Sequence, residues 1–307
     1  MSPSRFVIEP DGAFSLAAAA SFGFGPNTGR PKPDGDLMRL AFAVDGYRGH
    51  AGVVLRQRGA GIEASVEGAR GAAVERQIKR VLSLDHSGTD WRAVGKRDPV
   101  IGRLQRGHPG LRPVLFHSPY EAAAWSVISA RKPRAYAATL RTKLASAHGR
   151  VFDLEGEEVA AFPLPEALAA VRAFPGFDTT RMTRLRAVAR AALDGRLDAA
   201  RLAKLSPEDA RAELETLPGI GPFYADLVLV RATGLADLLP RNEPMLLAYA
   251  GHFYGDGAPL DATALESIAE RWRPFRTWAA VLIRVAGDRA GLPVPERRPT
   301  GRARMRP

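Results

Sequence analysis

Apolar and polar residues alternate between residues 6 and 68, as in strands that bury one face. Met38, Leu40, Phe42 and Val44 fall on one face; Ala51, Val53 and Leu55 repeat the pattern, and so do Ile62, Ala64 and Val66. Asp45-Gly46 and Gly59-Ala60-Gly61 supply the intervening turns. The period then changes. Val74, Ile78, Val81 and Leu82 recur at helical spacing, which predicts a helix of about three turns packed across the sheet. Residues 22–35, rich in Gly and Pro, read as a loop, and residues 98–102 and 108–113 as a crossover into a second region.

Beyond the crossover the pattern is helical. Ser118-Pro119-Tyr120-Glu121 is a helix start: a serine cap, a proline at the first helical position and a glutamate at the third. That helix is expected to run to about Arg131, where Lys132-Pro133 breaks it. Further helices are expected near 134–147, 165–173, 180–193, 207–216, 244–253, 262–271 and 274–288. The 180–193 helix carries Arg181, Arg184, Arg186 and Arg190, a face that is usually solvated.

The stretch from Leu214 to Met245 holds the candidate chemistry. Pro218 stops one helix, the paired Gly219 and Gly221 around Ile220 permit left-handed backbone, and Pro222 suits the first turn of the next helix. Such a hairpin leaves backbone N–H groups of the second helix unpaired, a seat for a phosphate. A plain tight turn between two helices is the alternative these residues leave open.

This segment resembles the helix-hairpin-helix of the DNA glycosylase superfamily. Asp237-Leu238-Leu239-Pro240-Arg241-Asn242-Glu243 resembles that superfamily's D-x-F/L-P-x-x-D stretch, with Glu243 22 residues after Gly221 and in place of the usual aspartate. Glu270 to Ala280 resembles the family's E-R-W-x-P-W/Y-R-S/T-x-A signature, and the sheet region with Asp45-Gly46-Tyr47-Arg48-Gly49 resembles the N-terminal domain of the bacterial 3-methyladenine glycosylase II family. The resemblance covers about residues 37 to 290.

It implies an α+β fold: an N-terminal antiparallel sheet domain with a packed helix (1–112) and an all-α helix-hairpin-helix glycosylase domain (113–290); by composition 291–307 reads as a basic disordered tail. It implies base-excision repair of double-stranded DNA by a monofunctional enzyme that removes a damaged, alkylated purine, with Glu243 catalytic. The alternative is a catalytically inactive DNA-binding protein on the same scaffold. A glutamate sets the charge one methylene further out, and errors of about 1 Å cost on the order of 100-fold in rate. Asn242, a better cap than glutamate, is expected to cap the helix at Pro244 and free the Glu243 carboxylate; the plain alternative for Glu243 is a first-turn acid favoured by the helix dipole.

By the same resemblance Gly219, Ile220, Gly221 and Pro222 contact DNA, and Arg131 stands where a residue wedges into the duplex, or is simply a solvated helix-end cation. Phe223, Tyr224, Leu227, Trp278 and Arg284 are expected at the base pocket, where Arg284 repels a cationic base or pairs with Glu243. Trp272, Phe275 and Trp278 also read as core, at least two of them buried. Pro222, Phe223 and Tyr224 follow the hairpin where bifunctional members carry a Schiff-base lysine, so no lyase step is expected. The hairpin carbonyls of Glu215, Leu217 and Ile220 match those that hold a structural Na+ or K+ in the family; no other cofactor is expected.

Composition narrows the picture further. Cysteine is absent, which excludes disulfides, thiol catalysis and a thiolate-held iron–sulfur cluster. The six histidines show no i, i+4 pairing of the kind that binds zinc on a helix. A net charge of +11 favours a polyanionic partner, although five of the arginines lie in the last eleven residues. No apolar run approaches the ~20 residues that span a bilayer. The expectation is a monomer in the cytoplasm, associated with the nucleoid and not with a membrane.

Overall fold

The alternating residues form a four-stranded antiparallel sheet in the computed structural model, which describes residues 4–22, 36–69 and 71–293. Strand β1 (Ser4–Ile8) is followed by a short helix α1 (Leu16–Ala20). Then come β2 (Leu37–Ala43), β3 (His50–Arg58) and β4 (Gly61–Gly68), in the spatial order β1-β4-β3-β2. The register sets Leu40 opposite Val53 and Val53 opposite Val66, so the expected apolar faces coincide and are buried. Helix α2 (Ala72–Val81) lays Val74, Ile78 and Val81 on that face. The glycine-rich loop lies almost wholly outside the described residues.

The crossover is itself helical, which the sequence reading missed. Helices α3 (Gly88–Arg97) and α4 (Pro99–Gly107) meet where a Cβ on Gly102 would come within 2.4 Å of the Gly95 carbonyl oxygen. These glycines permit backbone contact between helices instead of marking a loop. Asp98 caps α4 through the N–H groups of Val100 and Ile101 and accepts the Trp272 indole N–H.

The second region begins with α5 (Pro119–Ser129) and α6 (Arg134–His148). A hairpin of β5 (Arg150–Asp153) and β6 (Glu158–Ala161) returns to cover the outer face of the sheet, with Phe152 against Gly52. Helices α7 (Pro165–Ala170), α8 (Thr179–Leu193), α9 (Ala199–Lys204), α10 (Pro207–Glu215) and α11 (Pro222–Ala232) follow. The chain closes with α12 (Pro244–Tyr254), α13 (Ala262–Ala269), a single 3-10 turn (Glu270–Trp272) and α14 (Arg276–Arg289).

The cores do not follow chain order. Buried residues from the sheet and α2–α4 form one cluster with Leu246 to Ala286, whereas residues between Phe116 and Leu238 form another. The middle of the chain is thus one lobe, and its two ends together make the other. Trp272, Phe275 and Trp278 are all buried in the second of these. Among the described residues no helix is long and apolar enough to cross a membrane. The basic tail from residue 294 lies outside the described residues.

Candidate functional site

The helical hairpin is built as its sequence reads, with one correction. Helix α10 ends at Glu215 with Thr216 as its C-cap, and the Leu217 and Ile220 amides donate to the Leu214 and Leu217 carbonyls, both at 3.0 Å. Only Gly219 is left-handed, at φ 92°; Gly221, the N-cap of α11, is extended, at φ −104°. No side chain caps α11; Pro222 has no N–H and the Tyr224 and Ala225 amides donate to the Gly221 carbonyl at 2.9 Å, so the Phe223 N–H is the one in the first turn left for an anion. Leu214, Leu217, Ile220 and Ala225 are buried and fix the turn. A Cβ on Gly219 would meet the Arg184 side chain at 2.8 Å, so Arg184 of α8 lies directly on the turn.

The neighbouring turn of α8 holds the end of α5. Arg181 donates from Nε to the Val127 carbonyl at 3.1 Å and from Nη2 to the Ala130 carbonyl at 2.9 Å. Those bonds satisfy two of the carbonyls that a helix C-terminus leaves open. Arg131 follows them, exposed and left-handed at φ 57°. Arg181 and Arg184, three residues apart and hence on one face of α8, tie the wedge candidate and the hairpin to the same helix.

Glu243 departs from expectation. Asn242 does not cap α12; Glu243 does, its carboxylate accepting from the Met245 and Leu246 amides at 3.3 and 2.6 Å. Pro244 takes the first helical position and restricts the residue before it to extended backbone, so the cap falls on 243. The remaining valence goes to Arg284, whose Nη1 lies 2.7 Å from Glu243 Oε1. Both side chains are about one-fifth exposed, at 19% and 21%. Of the two expectations for Arg284, pairing with Glu243 is the one seen.

Around this pair the charge is largely positive. The Arg284 guanidinium lies over the Tyr249 ring, and Tyr249 donates its hydroxyl to Asp288 at 2.9 Å. Burial, reinforced by Arg284 and Arg134, lowers the Arg231 guanidinium to about 9, still charged at neutral pH. Arg231 also donates to the Val114 carbonyl at 2.6 Å, across the junction of the lobes.

Phe223 is 54% exposed and packs edge-on against Tyr224, with ring centroids 5.3 Å apart. Phe223, Leu227 and Arg231 follow at i, i+4 and i+8, one stripe of α11 that runs from the hairpin to the arginines beside Arg284. Trp278 does not share that surface. It is 2% exposed, wedged among Trp91, Phe275 and His86 with the Arg112 guanidinium 5.6 Å from its ring, and as packed it offers no face to a flipped base. Cavities of about 470 Å³ beside Arg5 and Arg56 and about 230 Å³ beside Tyr249 and His252 include neither Glu243 nor Phe223.

The basic face of α8 was legible in the sequence, but not the bonds of Arg181 or the place of Arg184 on the turn; nor were Arg231 and the cap at Glu243. The cap was recoverable: the proline rule that places Ser118 before Pro119 places Glu243 before Pro244. Among the described residues no group of three or more His, Cys, Asp or Glu side chains is placed to hold a metal.

No protein-family profile matches the chain. Curated relatives include the DNA-3-methyladenine glycosylase of Bacillus subtilis, 25% identical over 178 residues, 57% of this chain and 59% of that one. A probable bifunctional transcriptional activator/DNA repair enzyme AlkA of Mycobacterium tuberculosis is 29% identical over 209 residues, 66% of this chain and 40% of that one. The chain thus spans less than two thirds of the relatives it matches. Among solved structures, the 3-methyladenine DNA glycosylase from Archaeoglobus fulgidus superposes with a TM-score of 0.74 at 22% identity, covering 92% of this chain and 98% of that one. The Clostridium acetobutylicum 8-oxoguanine glycosylase/lyase, solved with double-stranded DNA, gives 0.64 at 14% identity, covering 95% and 100%. The chain therefore has the mixed helix-and-sheet fold of these DNA glycosylases.

Proposed function

We propose that this chain is a monofunctional DNA glycosylase that binds double-stranded DNA and hydrolyses the N-glycosidic bond of a damaged, alkylated purine. The observation that carries the reading is Glu243: a partly exposed carboxylate fixed by two helix amides and one arginine, in the lobe opposite the hairpin. Bond cleavage passes through an oxocarbenium-like transition state, which a fixed carboxylate stabilises without reorganising. The departing base keeps the bonding electron pair: a cationic alkylpurine leaves as the neutral base, and a neutral one takes up a proton. Water supplies the hydroxyl that adds to C1′ and gives up its other proton. Pro222, Phe223 and Tyr224 provide no amine for a Schiff base, so the reaction ends at the abasic site.

The remaining residues support DNA binding. Gly219, Ile220, Gly221 and Pro222 form the turn that sets the Phe223 N–H at the start of α11 toward a phosphate, with Arg184 alongside. Arg131, held up by Arg181, fills the gap left by a flipped nucleotide, which costs a few kcal/mol to extrude and less when the base is damaged. Phe223 stacks on the extruded base and Leu227 lines its path. The Leu217 carbonyl accepts from Ile220 and retains one lone pair, so with the Glu215 and Ile220 carbonyls it suits a hard monovalent cation that would brace the turn.

The test is single-turnover base release from duplexes carrying 3-methyladenine, 7-methylguanine, hypoxanthine or 1,N6-ethenoadenine. The proposal expects release of at least one base and an intact strand. Tight, salt-sensitive DNA binding with no release from any duplex would contradict it and point to a non-catalytic binding protein.

A further inference from the structure

We propose that Thr277, together with Asp237, is a positioning residue for Glu243. The inference rests on the glycosylase reading above, and its observations lie outside the carboxylate itself. The first turn of α14 has no side-chain cap of its own. Its amides are satisfied by the chain segment that leads to Glu243: Thr277 N–H donates to the Ala236 carbonyl at 2.9 Å, and Arg276 N–H donates to Asp237 Oδ1 at 3.3 Å. The Thr277 hydroxyl then bonds both polar groups of one residue, accepting from the Leu238 amide and donating to the Leu238 carbonyl, each at 2.9 Å. Thr277 is 2% exposed, so water cannot replace those bonds.

Asp237 doubles the attachment. Its carboxylate takes Arg276 Nε at 2.7 Å and Arg273 Nη1 at 2.8 Å, and its carbonyl accepts from Arg276 Nη2 at 2.8 Å. Little slack follows. Arg241 N–H donates to the Leu239 carbonyl and Glu243 N–H to the Pro240 carbonyl, closing two tight turns before Glu243 caps α12. Arg284 sits on the same helix as Thr277, seven residues on and therefore on the same face. One helix thus holds the segment that delivers the carboxylate at one end and the cation that pairs with it two turns later. Thr277 and Asp237 set where Glu243 stands relative to Arg284, and a displacement of about 1 Å at such a group costs on the order of 100-fold in rate.

Thr277→Val keeps the shape and removes the hydroxyl; Thr277→Ser restores it. Single-turnover release from the duplex that the native chain processes fastest is measured for both, beside Glu243→Gln, with the dissociation constant for the same duplex. The expected result is a fall of roughly 10- to 100-fold in rate for Thr277→Val, unchanged DNA binding, and recovery to within about threefold for Thr277→Ser. Asp237→Asn, which keeps the shape and loses the charge, carries the same rate and binding test if Thr277→Val does not fold. Full rates in the position 277 and 237 variants with Glu243→Gln inactive would overturn the inference and leave the glycosylase reading standing. So would equal losses in the Val and Ser variants, or rate and binding falling together. Absence of release from the native chain would overturn both.

Discussion

Two glutamates in this chain stand in nearly the same local chemistry and differ in what surrounds them. Glu121 and Glu243 each lie at the start of a helix whose first residue is proline, and each has an arginine nitrogen 2.7 Å from a carboxylate oxygen. In α5 the cap is Ser118, which frees Glu121 to turn inward to Arg141 and His117 at the junction of the lobes, fully buried. In α12 no serine precedes the proline, so Glu243 is both cap and ion-pair partner and keeps one-fifth of its surface open. Burial alone pushes the Glu121 carboxyl up, but His117 and Arg141 more than offset it and hold it at about 2. The same pairing is thus sealed from solvent at Glu121 and open to it at Glu243, where the proposed function places the chemistry.

The largest effect that would sharpen this contrast is on stability. Glu121→Ala leaves Arg141 buried without its carboxylate, and chemical denaturation should show a loss of about 3–5 kcal/mol. A loss under 1 kcal/mol would mean that the cluster is not structural. Acid should act on the same group. A carboxylate with a depressed folded value gives stability that is complete above its unfolded value near 4.5 and is lost as pH falls toward about 2. Denaturation at pH 6 and pH 3 should therefore differ less in Glu121→Gln than in the native chain.

At the open site the consequences are smaller and fall on substrate choice. Arg284→Met removes a partly exposed ion pair, so stability should change by no more than about 1 kcal/mol. Release of cationic 7-methylguanine relative to neutral hypoxanthine should rise severalfold, up to roughly 10-fold, because one repelling charge is gone. An unchanged ratio would show that the base does not approach Arg284. The smallest effect belongs to Arg184. Its replacement by alanine should weaken DNA binding uniformly across sequences and lower the salt slope by about 1, read from binding isotherms at several salt concentrations.

What could be read from sequence divides along physical lines. The sheet was legible because Leu40, Val53 and Val66 alternate strictly, and the register then aligns them. The hairpin was legible because Gly219 meets a conformational demand that few other residues satisfy. Helices α3 and α4 were not, since Gly95 and Gly102 look like breakers until the two backbones are seen in contact. Strands β5 and β6, four residues each, were too short to show a period. Within the candidate site, the Glu243 cap followed from Pro244 and was overlooked in favour of cap preference. The Thr277 bonds to Leu238 join residues 39 apart, and no local pattern signals them.

The central claim is that the Glu243 carboxylate carries the chemistry. Glu243→Gln keeps one oxygen to accept from an α12 amide and removes the charge and the second acceptor, so the fold should survive while the reaction does not. Measured by single-turnover base release beside a thermal melt, the account predicts a rate reduced by at least about 100-fold with a melting temperature near that of the native chain. A Gln variant that releases the base at the native rate would contradict it.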